Sequence, residues 1–155
     1  MSKLINIQNL AVAYHDKKIL ENINLTIPEN SFIAIVGLNG SGKSTFLKAL
    51  SRKIDFNGDI SLDENNFSHL GQKNNVQFNL SVQDILLMGR FRNLHFTQNY
   101  SEDDKQLVLE LIKKIGYEKI WNKNFKEISG GEQQIVWILQ TLLQEVSVFL
   151  LDEPT

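Results

Sequence analysis

Over the first thirty residues, apolar and polar positions alternate. Ile5, Ile7 and Asn9 fall on every second position, and Ile19, Ile23, Leu25 and Ile27 recur at even spacing against Asn22, Asn24 and Thr26. A period of two puts successive side chains on opposite faces of a pleated chain, so two strands are predicted. Asp16-Lys17-Lys18 supplies a turn between them, and Pro28-Glu29-Asn30 a turn after them. The alternation then gives way to an unbroken apolar run over residues 32–36, the pattern of a strand buried on both faces. That run leads into the glycine-rich residues 37–42, after which a helix is expected over about 43–52.

Helical signals dominate from there. Ser81-Val82-Gln83-Asp84 has the form of a capping box ahead of the apolar residues 85–88. Ser101-Glu102-Asp103-Asp104 repeats it. Leu107, Val108, Leu111, Ile112 and Ile115 then recur at helical spacing, and Gly116 is placed to end that helix. Ser129-Gly130-Gly131-Glu132 opens a third helix reaching about residue 144, and residues 148–151 form a short buried strand before Asp152-Glu153-Pro154-Thr155. A strand–loop–helix start with a later buried strand implies an α/β sheet, and residues 77–127 read as a helical subdomain inserted into it.

Composition narrows the class. The 155 residues carry a formal net charge of −2, are 42% hydrophobic and contain no cysteine. The chain is long enough for one domain with its own core. Its charge offers no general attraction to nucleic acid, and disulfides and thiolate metal sites are excluded. The first ten residues lack the apolar core of a signal peptide, and no apolar stretch approaches the ~18 residues of a spanning helix. Any service to a membrane would therefore run through a partner. His15, His69 and His95 show no close metal-ligand spacing.

Two segments carry phosphate chemistry. Gly37-Leu38-Asn39-Gly40-Ser41-Gly42-Lys43-Ser44-Thr45 matches the P-loop pattern. Its glycines let the backbone curl until successive N–H groups point at phosphate oxygens, and the following helix adds its positive end. Lys43 would reach the β- and γ-phosphates and the Ser44 hydroxyl would ligate Mg²⁺. The alternative is a glycine-rich turn without a ligand. At the far end, the apolar residues 148–151 deliver Asp152 and Glu153 to a strand end. Asp152 would hold the Mg²⁺ shell and Glu153 would polarise an attacking water. The alternative is a solvated strand end.

Ile128-Ser129-Gly130-Gly131-Glu132 points to a family: with the other motifs in order along the whole chain, the sequence resembles the ABC ATPases, although a plain capped helix start would also satisfy Ser129 and Glu132. The resemblance implies a P-loop NTPase core over 1–76 and 128–155, including an N-terminal β-subdomain, with the helical subdomain at 77–127. It implies that Ser129, Gly130, Gly131 and Glu132 close over ATP held by the P-loop of a second subunit in a head-to-tail homodimer. It places Tyr14 against adenine and Gln72 at the loop that contacts Mg²⁺ or the attacking water. ATP and Mg²⁺ are the implied cofactors. A transmembrane permease subunit is an implied partner, with a solute-binding protein acting indirectly and no nucleic acid. The implied location is cytoplasmic, on the inner face of the cell membrane.

Residues 80–91, with Leu80-Ser81-Val82-Gln83-Asp84 and Met88-Gly89-Arg90-Phe91, look like the corresponding segment of ATPases serving iron–siderophore, haem, cobalamin and related metal-chelate importers. Trp137 and Gln144 fit that group. Rival readings are a non-transport ABC ATPase acting on DNA or ribosomes, an ATP-binding fragment without turnover and, more distantly, a simple P-loop kinase. The sequence departs from the family pattern at Glu29-Asn30, at Gln133 and Ile135, and at Leu139-Gln140-Thr141-Leu142. It also ends just after the Asp152–Glu153 pair, where the family continues, so a truncated domain is expected, with marginal stability and ATP binding more secure than hydrolysis.

Overall fold

The computed structural model describes residues 3–63, 66–71, 78–91 and 99–152. The chain divides into two compact units, Met1–Phe67 and Ser68–Thr155.

In the first unit, β1 (Lys3–Tyr14) lies between β2 (Lys17–Pro28) and β3 (Asn57–Ser61) in an antiparallel sheet of order β2-β1-β3. The hairpin turn falls at His15-Asp16, one residue earlier than the sequence suggests, because Tyr14 pairs with Lys17. His15 takes up the left-handed conformation, φ 54°. A bulge organises β1. Ile5 and Ile7 are buried, and so are Leu10 and Val12, so the buried parity flips between residues 7 and 10. The register shifts there, with Asn9 at φ 51° and its amide donating to the Asn24 side chain at 2.9 Å. One inserted residue returns the next apolar pair to the core face, where a regular strand would have exposed it. β3 crosses this bulge closely: a Cβ on Gly58 would lie 2.5 Å from the carbonyl oxygen of Asn9, and Gly58 itself has φ 98°.

α1 (Lys43–Leu50) buries Phe46, Leu47, Ala49 and Leu50. It begins against β2, since a Cβ on Gly42 would meet Leu20 at 3.0 Å and Ile19 at 3.3 Å. The run at 32–36 departs from expectation. It is irregular rather than a strand, with Phe32 93% and Val36 90% exposed. An apolar run becomes a strand only beside a neighbour with free ladder groups. In this unit β1 already has both its edges taken, by β2 and β3.

In the second unit, β4 (Phe67–Leu70) and β5 (Val148–Leu151) form a two-stranded sheet. α2 (Val82–Met88), α3 (Glu102–Lys114) and α4 (Gly130–Leu142) pack around Val82, Ile85, Leu86, Val108, Ile112 and Val136. Phe125 and Trp137 close one side of this core edge-to-face, with ring centroids 5.4 Å apart. All three expected capping boxes form, and Gly116 ends α3 with φ 77°. Among the described residues no helix is long and apolar enough to cross a membrane.

Candidate functional site

In the first unit candidate residues 37–45 form the start of α1 and the loop before it. Residues 38–41 form a turn closed by the Ser41 amide on the Leu38 carbonyl at 3.1 Å. Gly40 and Gly42 sit at φ 80° and 97°, backbone regions that a side chain would strain. A Cβ on Gly37 would lie 2.7 Å from Ser41 Oγ. Lys43 curls back over the loop, its Nζ donating to the carbonyls of Gly37 at 2.8 Å and Leu38 at 3.0 Å. Ser44 and Thr45 follow in the first turn, both half-buried.

The N-terminus of α1 differs in kind from the other helix starts. α2, α3 and α4 are each closed by a serine and an acidic residue three positions later. α1 has glycine at its cap and no side-chain hydrogen bond there. The positive end of the helix thus lies at a glycine cap in place of a serine–carboxylate box, an arrangement that favours an anion. Tyr14 lies at the end of β1 beside the hairpin turn, 45% exposed. β2, the other arm of that hairpin, supplies Ile19 and Leu20, which pack near Gly42.

In the second unit, Asp152 follows β5 and is buried, its amide donating to the Leu70 carbonyl at 3.0 Å. The ends of β4 and β5 therefore lie side by side. Gln72 and Glu153, which the sequence reading assigns to the water-activating positions, lie outside the described residues. Ser129 opens α4 with a reciprocal box. Its amide donates to Glu132 Oε2 at 2.8 Å and its hydroxyl to the same oxygen at 2.7 Å, while the Glu132 amide donates to Ser129 Oγ at 3.3 Å. The Ser129 hydroxyl, followed by its amide, holds the Glu132 carboxyl below the ordinary glutamate range. The Gly130 and Gly131 positions are open, with no atom within 4 Å of an added Cβ. Gln133 donates to the Phe125 and Ile128 carbonyls at 3.0 and 3.3 Å, tying α4 to the segment before it.

The donor chemistry suits the implied cofactors. A nucleotide's phosphates need a curled, glycine-rich loop at a helix start and a lysine, which residues 37–45 provide. Ser44 and Asp152 are hard oxygen donors of the kind Mg²⁺ takes while keeping several waters. Among the described residues no group of three or more His, Asp or Glu side chains could hold a metal by itself.

The sequence reading missed the cluster at Arg90. Its guanidinium meets Asp104 Oδ1 through Nε at 2.9 Å and Glu145 Oε1 through Nη1 at 2.5 Å. Burial disfavours the arginine charge, but the hydrogen bonds that Arg90 donates to Asp104 and Glu145 outweigh it and raise the Arg90 pKa. In return, the Ser101 hydroxyl and then Arg90 lower that of Asp104. A Gly-Arg pair at the end of an apolar helix was the available signal.

Comparison with known proteins identifies the family and the fold. The family model described as ABC transporter matches residues 20–155. The manganese transport system ATP-binding protein MntB of Halalkalibacterium halodurans is 33% identical over an alignment covering 99% of this chain and 65% of that protein. The ferric enterobactin transport ATP-binding protein FepC of Escherichia coli is 30% identical, over 96% of this chain and 59% of its own length. The chain thus spans a little under two thirds of these relatives. Among solved structures, an inward-facing transporter of metal-chelate ABC type superposes with a TM-score of 0.87 at 27% identity, covering 99% of this chain and 62% of that one.

Proposed function

The chain belongs to the ABC transporter family of ATP-binding domains and has its α/β P-loop fold, and from that premise we propose that it binds Mg-ATP and supplies the hydrolytic motor of an importer. The observation that carries this reading is the start of α1: a curled glycine loop, a helix end with glycine at its cap and Lys43 folded over the loop carbonyls. Lys43 is then placed to leave the Gly37 and Leu38 carbonyls for phosphate oxygens, and the amides of 38–45 to donate to them. Tyr14 would stack on adenine. Ser44, Asp152 and Gln72 are the residues that would hold Mg²⁺, whose charge would offset that of the β- and γ-phosphates. Glu153 would accept a proton from the attacking water. Ser129, Gly130 and Gly131 would donate to the γ-phosphate of a nucleotide held by a second subunit, so that two sites form between two copies. The helical insert is assigned to 77–127.

Residues 72–90 are the proposed contact surface for a transmembrane permease, which would hold the motor at the inner face of the membrane. Met88 on α2 and Phe91 just beyond it leave apolar surface exposed, in keeping with such a contact. The cargo class proposed is a metal ion or metal chelate. The support is the 80–91 segment together with relatives named as ATP-binding proteins of manganese and ferric enterobactin transport. The test is phosphate release from Mg-ATP by the protein carrying this chain, alone and with its permease. Turnover that falls at least ~100-fold in Glu153→Gln with nucleotide binding retained is expected. Binding of nucleic acid in place of a permease, or turnover indifferent to Glu153, contradicts the reading.

A further inference from the structure

Arg90 ties three segments of the second unit together. It follows Gly89 at the end of α2, and it is 9% exposed. Nε donates to Asp104, the third residue of α3, whose other oxygen accepts from the Ser101 amide and hydroxyl. Nη1 pairs with Glu145, just past α4, and reaches the Leu143 carbonyl at 3.4 Å. Glu145 is held at φ 51°. The backbones meet at the same place: a Cβ on Gly89 would lie 2.5 Å from the Gln140 carbonyl oxygen and 2.8 Å from Leu143 Cβ. The other end of α2 is fixed as well. The Val82 amide donates to the Lys123 carbonyl at 3.0 Å, and the Phe125 amide donates to the Leu80 carbonyl at 2.9 Å. Gln133 then joins this segment to the first turns of α4.

α2 is therefore a strut bound to α4 near both ends, and α4 is an uninterrupted helix of 13 residues. A straight helix of that length is ~20 Å long and moves as a rod, so a small tilt at its C-terminal end displaces its N-terminal amides. We propose that Arg90 is a positioning residue: by clamping the C-terminal end of α4 to α2 and α3, it sets where Ser129, Gly130 and Gly131 present their donors. This rests on the reading above that the start of α4 contacts a phosphate. A buried arginine with two acidic partners is costly to assemble and weak evidence for stability, which is consistent with a role in geometry.

The experiment uses the whole protein with Arg90→Lys, which keeps the charge but cannot span both carboxylates. Glu145→Gln is the milder variant, because that side chain is 57% exposed and its loss is compatible with folding. Three quantities are read: the Kd for ATP, kcat, and hydrogen exchange at amides 130–133. The expected result is a Kd within about twofold of the parent, kcat reduced about tenfold and faster exchange at 130–133, in the same order of severity for both variants. Lowered stability with exchange at 130–133 and kcat unchanged overturns the proposal and leaves Arg90 a local brace. Exchange that responds in a parent protein without ATP turnover supports the positioning and overturns the proposed function instead.

Discussion

The α-carbon of Gly89 faces the backbone of Gln140 so closely that a methyl group there would lie 2.5 Å from its carbonyl oxygen. Helix α2 can approach α4 this closely only because residue 89 has no side chain. Gly89 is itself in an ordinary helical conformation, φ −62°, so the requirement is one of space and not of backbone freedom. Gly89→Ala is expected to destabilise the protein by about 1–3 kcal/mol, the usual penalty for overpacking. The midpoint of urea unfolding measures this; a change within the error of the parent would show that the helices separate freely.

Ser101 and Ser129 form the same capping box on two helices of the same length, 13 residues. Alanine at either position should cost about 1 kcal/mol in unfolding free energy. Only Ser129→Ala should also lower ATP turnover, because only that helix start is proposed to meet a phosphate. Equal effects of both variants on turnover would reduce Ser129 to a cap.

Asp104 gives a pH dependence of definite sign. Its pKa in the folded protein lies below the ordinary value, chiefly through the Ser101 hydroxyl and then Arg90. A depressed folded pKa contributes stability that is present above the unfolded value of about 4 and is lost as pH falls through the folded one. Glu132 shifts in the same direction through the Ser129 hydroxyl and amide. Urea midpoints should therefore fall as pH drops below about 5, and Asp104→Asn should flatten that decline. A parent protein and variant with parallel acid limbs would contradict the assignment.

The helices and the phosphate loop were legible because their signals are local. A serine with an acidic residue three positions later specifies a capped start by itself, and Gly116 specifies an end. Glycines at 37, 40 and 42 specify a curled loop in the same way. The bulge at Asn9 was not legible, because it depends on Asn24 and on the approach of Gly58 from β3. β3 itself, short and polar, offers no alternation. The apolar residues 32–36 have the composition of a buried strand, but pairing depends on neighbours, and β2 and β3 already occupy the edges of β1. The Arg90 cluster joins residues 14 and 55 positions apart, so the Gly89-Arg90 pair marks one member while no local pattern points to its partners Asp104 and Glu145.

The wrapping of phosphates by residues 37–45 is tested most directly by titrating the protein with Mg-ATP in a calorimeter, beside Lys43→Ala. Lys43 makes its contacts within the loop from the first turn of α1, so alanine there leaves the buried face of that helix intact. A saturable complex is predicted for the parent, weakened about 10- to 100-fold in the variant, as loss of charge-assisted hydrogen bonds requires. No saturable binding by the folded parent, or equal binding by Lys43→Ala, would contradict it.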